Sequence, residues 1–170
     1  MKLRVYIVNL GKYGEDDYVG DWFTLPVSFS TVAERLNLNR DYEEYAIHKY
    51  EAPFKVCEYD SLRKLNRVAE LMKFHTNNPV IKYSGELCEH LGIDILEFFE
   101  TIDSVKVYFE CKNWTDYARH LVDANVSFKG EEDMLVSNYI NYDTLGRDLS
   151  CNPNLFQAKD GIIIDILPMK

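Results

Sequence analysis

The hydrophobic residues of this chain change their spacing near residue 61. Between residues 3 and 9 apolar and polar residues alternate, and Val, Ile and Tyr dominate, as is typical of a half-buried strand. From Ser61 onward the apolar residues recur every three or four positions, which is the spacing of one helical face. These residues are Leu62, Leu65, Val68, Ala69 and Met72. A chain with both periods combines sheet and helix, so the predicted fold class is α+β.

Residues 1–60 are predicted to form a first domain, a three-stranded sheet with one helix. The strands are predicted over residues 3–9, 21–25 and 44–51, with a polar loop over residues 11–20. The helix follows Ser28 or Ser30, either of which suits an N-cap, and runs to about residue 38. Pro53 cannot donate a hydrogen bond to a sheet, so an extended segment is predicted to end this domain.

Residues 61–103 are predicted to form an all-helical central domain, and residues 104–170 a mixed α/β domain. In the centre, Asn77-Asn78-Pro79 ends the helix that begins at Ser61, and further helices are predicted over residues 84–91 and 94–102. In the last domain, strands are predicted over residues 105–110 and 162–166, and helices over residues 115–125 and 131–142.

Composition indicates a folded protein, and we expect it to be soluble and cytoplasmic. The chain has 170 residues, of which 46% are hydrophobic and 14% aromatic, which is unlike a disordered chain. No apolar run approaches the roughly 20 residues needed to cross a bilayer. The apolar stretch at the start is too short for a signal peptide.

The sequence has few groups suited to catalysis or to binding a cofactor. The four cysteines form no CxxC pair, and Cys88 and His90 are the only potential soft metal ligands close together, so we expect no metal site and no cofactor. Walker A, GxGxxG, GxSxG and HExxH motifs are absent from the sequence. We therefore expect that the protein is not an enzyme.

The charge balance favours a basic partner. The chain has 28 acidic and 19 basic residues, a net charge of −9, and acidic residues outnumber basic ones in each predicted domain. Such a surface repels phosphates, so direct binding to nucleic acid is disfavoured. Any single acidic group is more often a solvated loop or a helix first turn than a binding site.

Three segments resemble the ArdA antirestriction family, in order and at about the expected separations. They are residues 5–14 (VYIVNLGKYG), 42–51 (YEEYAIHKYE) and 138–149 (NYINYDTLGRDL). The resemblance implies an acidic, elongated homodimer on mobile genetic elements, built from three small domains in a row and joined through the third. It also implies a DNA mimic that occupies the DNA-binding groove of type I restriction-modification enzymes.

Two sets of site residues follow, the first from the DNA-mimic hypothesis and the second from the resemblance. Carboxylates that would replace phosphates are Glu15, Asp16, Asp17, Asp21, Asp41, Glu43, Glu44, Glu58, Asp60, Glu97, Glu100, Asp103, Glu110 and Asp116. A dimer and antirestriction region would contain Tyr139, Tyr142, Gly146, Arg147 and Asp148. The alternatives are that Arg147 and Asp148 form a salt-bridged turn after Gly146 and that residues 139–142 lie in the core.

Three functional hypotheses follow. The first is the DNA mimic, a protein without catalytic activity. The second is an acidic interaction module of the same fold that binds another DNA-binding protein or regulator. The third is an enzyme, for which Asp148 beside Arg147, or Cys88 near His90, would supply the only reactive groups.

Overall fold

The computed structural model describes residues 2–13, 18–125 and 139–167. The α+β class is confirmed, because the described residues contain two three-stranded antiparallel sheets and seven α-helices. The chain divides into two compact units, Met1–Glu100 and Thr101–Lys170. The separation of residues 1–60 from residues 61–103 as two domains stays a prediction.

The described residues of the first unit form three strands, five α-helices and a 3-10 helix. They are β1 (Arg4–Asn9), α1 (Leu10–Tyr13), β2 (Gly20–Thr24), α2 (Phe29–Leu36), β3 (Tyr45–Glu51), α3 (Leu62–Phe74), the 3-10 helix Pro79–Tyr83, α4 (Ser84–Leu91) and α5 (Ile95–Glu100).

The central strand of the first sheet supplies the middle of its core. The strand order is β2-β1-β3, and both neighbours of β1 are antiparallel to it. Val5 and Ile7 of β1 are fully buried, as the alternating pattern predicts. Helix α2 lies against β2 and buries Val32 and Leu36.

Helix α3 buries the apolar stripe that the sequence predicts. All five of its stripe residues are buried, and its contacts with α5 cover part of this face. The Ser61 side chain accepts a hydrogen bond from the Lys64 N–H at 3.2 Å, which confirms the predicted N-cap. Helix α5 adds Ile95, Phe98 and Phe99 to the core.

The described residues of the second unit form a three-stranded sheet and two α-helices that pack on each other. Its elements are the 3-10 helix Ile102–Ser104, β4 (Val105–Tyr108), α6 (Trp114–Asn125), α7 (Tyr142–Leu149), β5 (Leu155–Gln157) and β6 (Ile163–Ile166). The strand order is β4-β6-β5, all antiparallel. Its core includes Tyr108, Cys111, Tyr117, Leu155 and Ile163.

Several local predictions differ from the structure. A short helix, α1, replaces the start of the predicted polar loop, because the buried Asn9 side chain accepts the Lys12 N–H at 3.1 Å. Ser28 rather than Ser30 caps α2. Helix α5 ends at Glu100 instead of residue 102, and β5 was not predicted.

The helix predicted over residues 131–142 is wrong at its end. Residues 131–138 lie outside the described residues, and residues 139–141 are not helical. A new helix starts at Tyr142, because the Asn141 side chain caps it by accepting the Thr144 N–H at 3.0 Å. Arg147 and Asp148 therefore lie within α7 and not in a turn after Gly146.

Within the three described ranges, no helix is both long enough and apolar enough to cross a membrane.

Candidate partner-binding surface

The connection between α2 and β3 exposes three acidic side chains, Asp41, Glu43 and Glu44, which we call the acidic loop. Asn37 caps the C-terminus of helix α2 in a left-handed conformation with φ 53°. The Asn39 side chain then accepts the N–H groups of Asp41 at 2.8 Å and Tyr42 at 3.2 Å. Asn residues suit both positions, since they tolerate left-handed φ and bond to nearby backbone groups.

Two contacts link the acidic loop to α1, one through the loop backbone and one through the Tyr42 side chain. The Leu10 N–H donates to the Glu44 carbonyl at 3.0 Å. A Cβ atom on Gly11 would lie 2.4 Å from a ring carbon of Tyr42, so this close approach needs a glycine. The three carboxylates therefore extend from a loop that these contacts hold against α1.

Two other predicted phosphate substitutes are in ion pairs. Asp21 pairs with Arg35, whose guanidinium also lies 4.7 Å from the centre of the Phe23 ring. Asp60 pairs with Lys64 at 2.9 Å, and the same ammonium contacts Asp94 at 2.6 Å. A neighbouring cation reduces the field that each carboxylate presents to a partner.

The contacts of Lys64 with Asp60 and Asp94 shift the pKa values of Lys64 and Asp94. Burial lowers the pKa of Lys64, but hydrogen bonds to Asp94 and Asp60 outweigh it, so the Lys64 pKa lies above its ordinary value. Burial raises the pKa of Asp94. The hydrogen bond and the charge of Lys64, together with the backbone N–H groups of Leu96 and Ile95, outweigh this, so the Asp94 pKa lies below its ordinary value. Both shifts favour the charged pair, which indicates a structural role.

Asp116 caps the start of α6. Its carboxylate accepts the Lys112 N–H at 3.1 Å and the Asn113 side-chain amide at 2.9 Å. The Asn113 side chain in turn accepts the Asp116 N–H at 2.8 Å, so the two residues form a reciprocal cap. This hydrogen bonding explains a carboxylate at position 116 without any partner protein.

Of the remaining predicted carboxylates, five are described by the structure and three lie outside the described residues. Glu110 is exposed, and one of its oxygens lies 3.8 Å from His120 Nδ1. Four others are also exposed: Glu58, Glu97, Glu100 and Asp103. Glu15, Asp16 and Asp17 lie outside the described residues. The role of every residue in this set as a phosphate substitute stays a prediction.

The predicted dimer region contains both surface and packing residues. Tyr139 is 87% exposed, so it does not belong to the core of this chain. Tyr142 is half-buried, with the Arg119 guanidinium 5.1 Å from its ring centre. Gly146 is buried against the backbone of Trp114, where a Cβ would approach to 2.7 Å. Arg147 and Asp148 are exposed on α7.

The surroundings of Cys88, one of the residues considered for catalysis, do not activate its thiol. Burial, together with the charge of Asp94, raises the pKa of the Cys88 thiol to about 11, which keeps it protonated near neutral pH. In the described part of the chain, no group of three or more His, Cys, Asp or Glu residues is placed to hold a metal ion.

The sequence analysis did not predict the cations that form ion pairs with Asp60 and Asp21. The Asp60–Lys64 pair has i,i+4 spacing, so it was open to prediction from the helical pattern. Arg35 lies 14 residues from Asp21 in the sequence, and only the packing of α2 on the sheet brings them together.

The fold and this surface define an acidic α+β protein that presents carboxylates on an ordered loop, which suits a basic partner. A family model described as "Antirestriction protein (ArdA)" matches residues 5–164, so the chain belongs to the ArdA antirestriction family. A search of curated proteins found no match to the chain.

Proposed function

We infer that this antirestriction protein acts as a DNA mimic, which competes with DNA for the DNA-binding groove of type I restriction-modification enzymes. Membership of the ArdA family supports the antirestriction function. The observation that carries the mechanism is the acidic loop, where three exposed carboxylates extend from a segment linked to α1.

The proposed mechanism is competitive binding, without a catalytic step. A groove that binds DNA phosphates is basic, so an acidic surface is attracted to the same groove and excludes DNA from it. Electrostatic complementarity speeds the encounter, and dissolved salt screens it. Inhibition that depends on mimicry therefore weakens as ionic strength rises.

The amount of charge argues for a dimer. Duplex DNA has about one charge per 1.7 Å of axis, so a net charge of −9 equals about 15 Å of duplex, or about 30 Å for two chains. We propose that the homodimer forms through the second unit, with the exposed Tyr139 as a contact. Tyrosine suits this role, since it combines a large apolar ring with a polar end.

The test is a competition experiment. The purified protein is titrated into a type I methyltransferase bound to labelled cognate duplex, at low and at moderate salt, and release of the DNA is followed. We expect stoichiometric displacement that weakens as salt rises. A folded protein that displaces no DNA at either salt would refute mimicry and favour an acidic module with another partner.

A further inference from the structure

A groove lies between the start of α2 and the exposed side of α3 in the first unit, and we call it the α2–α3 groove. Its volume is about 580 Å³, within the roughly 300–1,000 Å³ of typical ligand sites. Phe29 and Tyr45 supply its aromatic lining, with ring centroids 6.3 Å apart. Arg63 and Arg67 supply its positive charge.

The aromatic part of the α2–α3 groove is accessible. Phe29 is the first residue of α2 and is 55% exposed, while Tyr45 beside it is half-buried. One exposed aromatic residue on a surface is ordinary. A concave site that combines an exposed Phe with a second ring, however, offers an apolar side chain a place to bury its surface.

The two sides of the groove are joined by hydrogen bonds, so the site is already formed. The Asn66 side chain of α3 donates to the Val27 carbonyl at 2.7 Å and accepts the Val27 N–H at 2.9 Å. The Tyr45 hydroxyl accepts the Leu62 N–H at 3.3 Å. A partner that binds a preformed groove avoids the cost of ordering it.

The charge of the groove is opposite to that of the chain. Arg63 and Arg67 are four residues apart, so they lie on the same side of α3, and both are exposed. Arg67 contacts Glu70 at 3.4 Å, but both side chains are more than half exposed, so this pair is weak and readily exchanged. The groove thus has two cations and one carboxylate, in a chain of net charge −9.

We propose that the α2–α3 groove binds an acidic peptide segment of a partner protein. An apolar or aromatic residue of that segment packs against Phe29 and Tyr45, and its carboxylates contact Arg63 and Arg67. Charge complementarity selects an acidic occupant. A short peptide is favoured over nucleic acid, because a long polyanion also meets the acidic remainder of the chain, whereas a short segment meets only the groove.

This site is separate from the proposed DNA mimicry. Arg63, Arg67 and Phe29 are not among the carboxylates that would replace phosphates, and cations do not contribute to a surface that resembles DNA. Failure of one proposal therefore leaves the other intact, provided that both activities are measured on the same variants.

The experiment measures binding of a short fluorescein-labelled peptide, in which Glu and Asp residues flank a central Phe, by fluorescence anisotropy at low salt. Two matched peptides replace either the acidic residues by Gln and Asn or the Phe by Gly. We expect saturable binding of the first peptide to the full chain. Each replacement should weaken it about tenfold, which corresponds to about 1.4 kcal/mol.

The protein variants are Arg63→Gln with Arg67→Gln, and separately Phe29→Ala. We expect both to weaken peptide binding about tenfold and to leave displacement of DNA from the methyltransferase unchanged. The matched control is Lys49→Gln with Lys55→Gln, which removes two exposed charges of the same unit outside the groove. Thermal unfolding checks that every variant is folded.

Four outcomes overturn the proposal. One is that no peptide binds, and a second is that the acidic and the neutral peptides bind equally. A third is that inorganic phosphate or a mononucleotide displaces the peptide at similar concentration, which would make this a site for small anions. The last is concentration-dependent self-association in sedimentation that the arginine variant abolishes, which would make a second copy of the chain the occupant.

Discussion

The side chain of Asn66 makes two hydrogen bonds with the backbone of Val27, at 2.7 Å and 2.9 Å. Val27 precedes α2, while Asn66 lies in α3, so this amide joins the sheet region to the helical region of the first unit. The geometry satisfies both the N–H and the carbonyl of one half-buried residue.

We predict that Asn66→Ala destabilises the protein by about 1–3 kcal/mol, because it leaves two backbone groups of Val27 without their partner. Urea unfolding of the full chain measures the change. Asn77→Ala is the control, since Asn77 is exposed beyond the end of α3, and it should change the free energy of unfolding by less than about 0.5 kcal/mol. Equal effects from both substitutions would contradict this account.

Gly146 permits the close packing of α6 and α7. Because a Cβ at this position would lie 2.7 Å from the carbonyl carbon and oxygen of Trp114, we predict that Gly146→Ala destabilises the second unit by about 1–3 kcal/mol. Thermal unfolding checks this, with the exposed Thr144→Ala in the same helix as the control. If Gly146→Ala lowers antirestriction activity without lowering stability, position 146 has a contact role instead.

The Lys64 ion pairs should make stability depend on pH. The raised pKa of Lys64 adds stability that is complete below the ordinary lysine value of 10.5 and is lost as pH rises through the native value. The lowered pKa of Asp94 adds stability that is present above the ordinary value of 3.8 and is lost as pH falls through the native value. Together these shifts stabilise the protein between those two limits.

We therefore predict that Lys64→Met costs about 1–2 kcal/mol at neutral pH, because Asp60 and Asp94 lose their partner. The difference from the unchanged protein should shrink as pH falls from neutral through the native pKa of Asp94, which lies below the ordinary value of 3.8, because a protonated carboxyl no longer attracts Lys64. Urea unfolding across this pH range measures it, with the exposed Lys73→Met as the control. A difference that stays constant with pH would show that Lys64 acts through packing and not through charge.

The acidic loop should contribute more to inhibition than the paired Asp21 does. We predict that Glu43→Gln with Glu44→Gln slows association with the methyltransferase about two- to fivefold at low salt, since unscreened charges steer the encounter. Asp21→Asn should change this rate little, because Arg35 already neutralises it. Stopped-flow measurement of DNA release compares these variants.

The matched control for the acidic loop is Glu89→Gln with Asp123→Asn, which removes two exposed charges elsewhere. This control should leave the association rate near that of the unchanged protein. If it slows association as much as the acidic-loop variant does, only net charge matters and the loop has no special role.

Tyr139 is the most exposed aromatic residue among those that the structure describes. If it is a contact of the proposed homodimer, Tyr139→Ser should raise the dimer dissociation constant more than about tenfold, as for a buried aromatic anchor. Analytical ultracentrifugation measures this. Phe74, which is 83% exposed, supplies the control substitution Phe74→Ser. An unchanged dissociation constant for Tyr139→Ser would place the interface elsewhere.

The sequence alone determined most of the local structure. The alternation over the first four residues of β1, the apolar stripe of α3 and the Ser61 cap appear in the structure as predicted, because each depends only on residues near in sequence. The family was also evident from sequence segments, and the match over residues 5–164 confirms it.

Only the tertiary structure decided which of the described carboxylates are paired with a cation. Asp21 and Asp60 looked like Glu43 and Glu44 in the sequence, but packing places Arg35 beside Asp21 and brings Asp94 to the Lys64–Asp60 pair. The α2–α3 groove likewise unites Phe29 with Arg63 across more than thirty positions of sequence. Coulomb interactions and burial depend on distances in space, and chain folding sets these between residues that no local pattern connects.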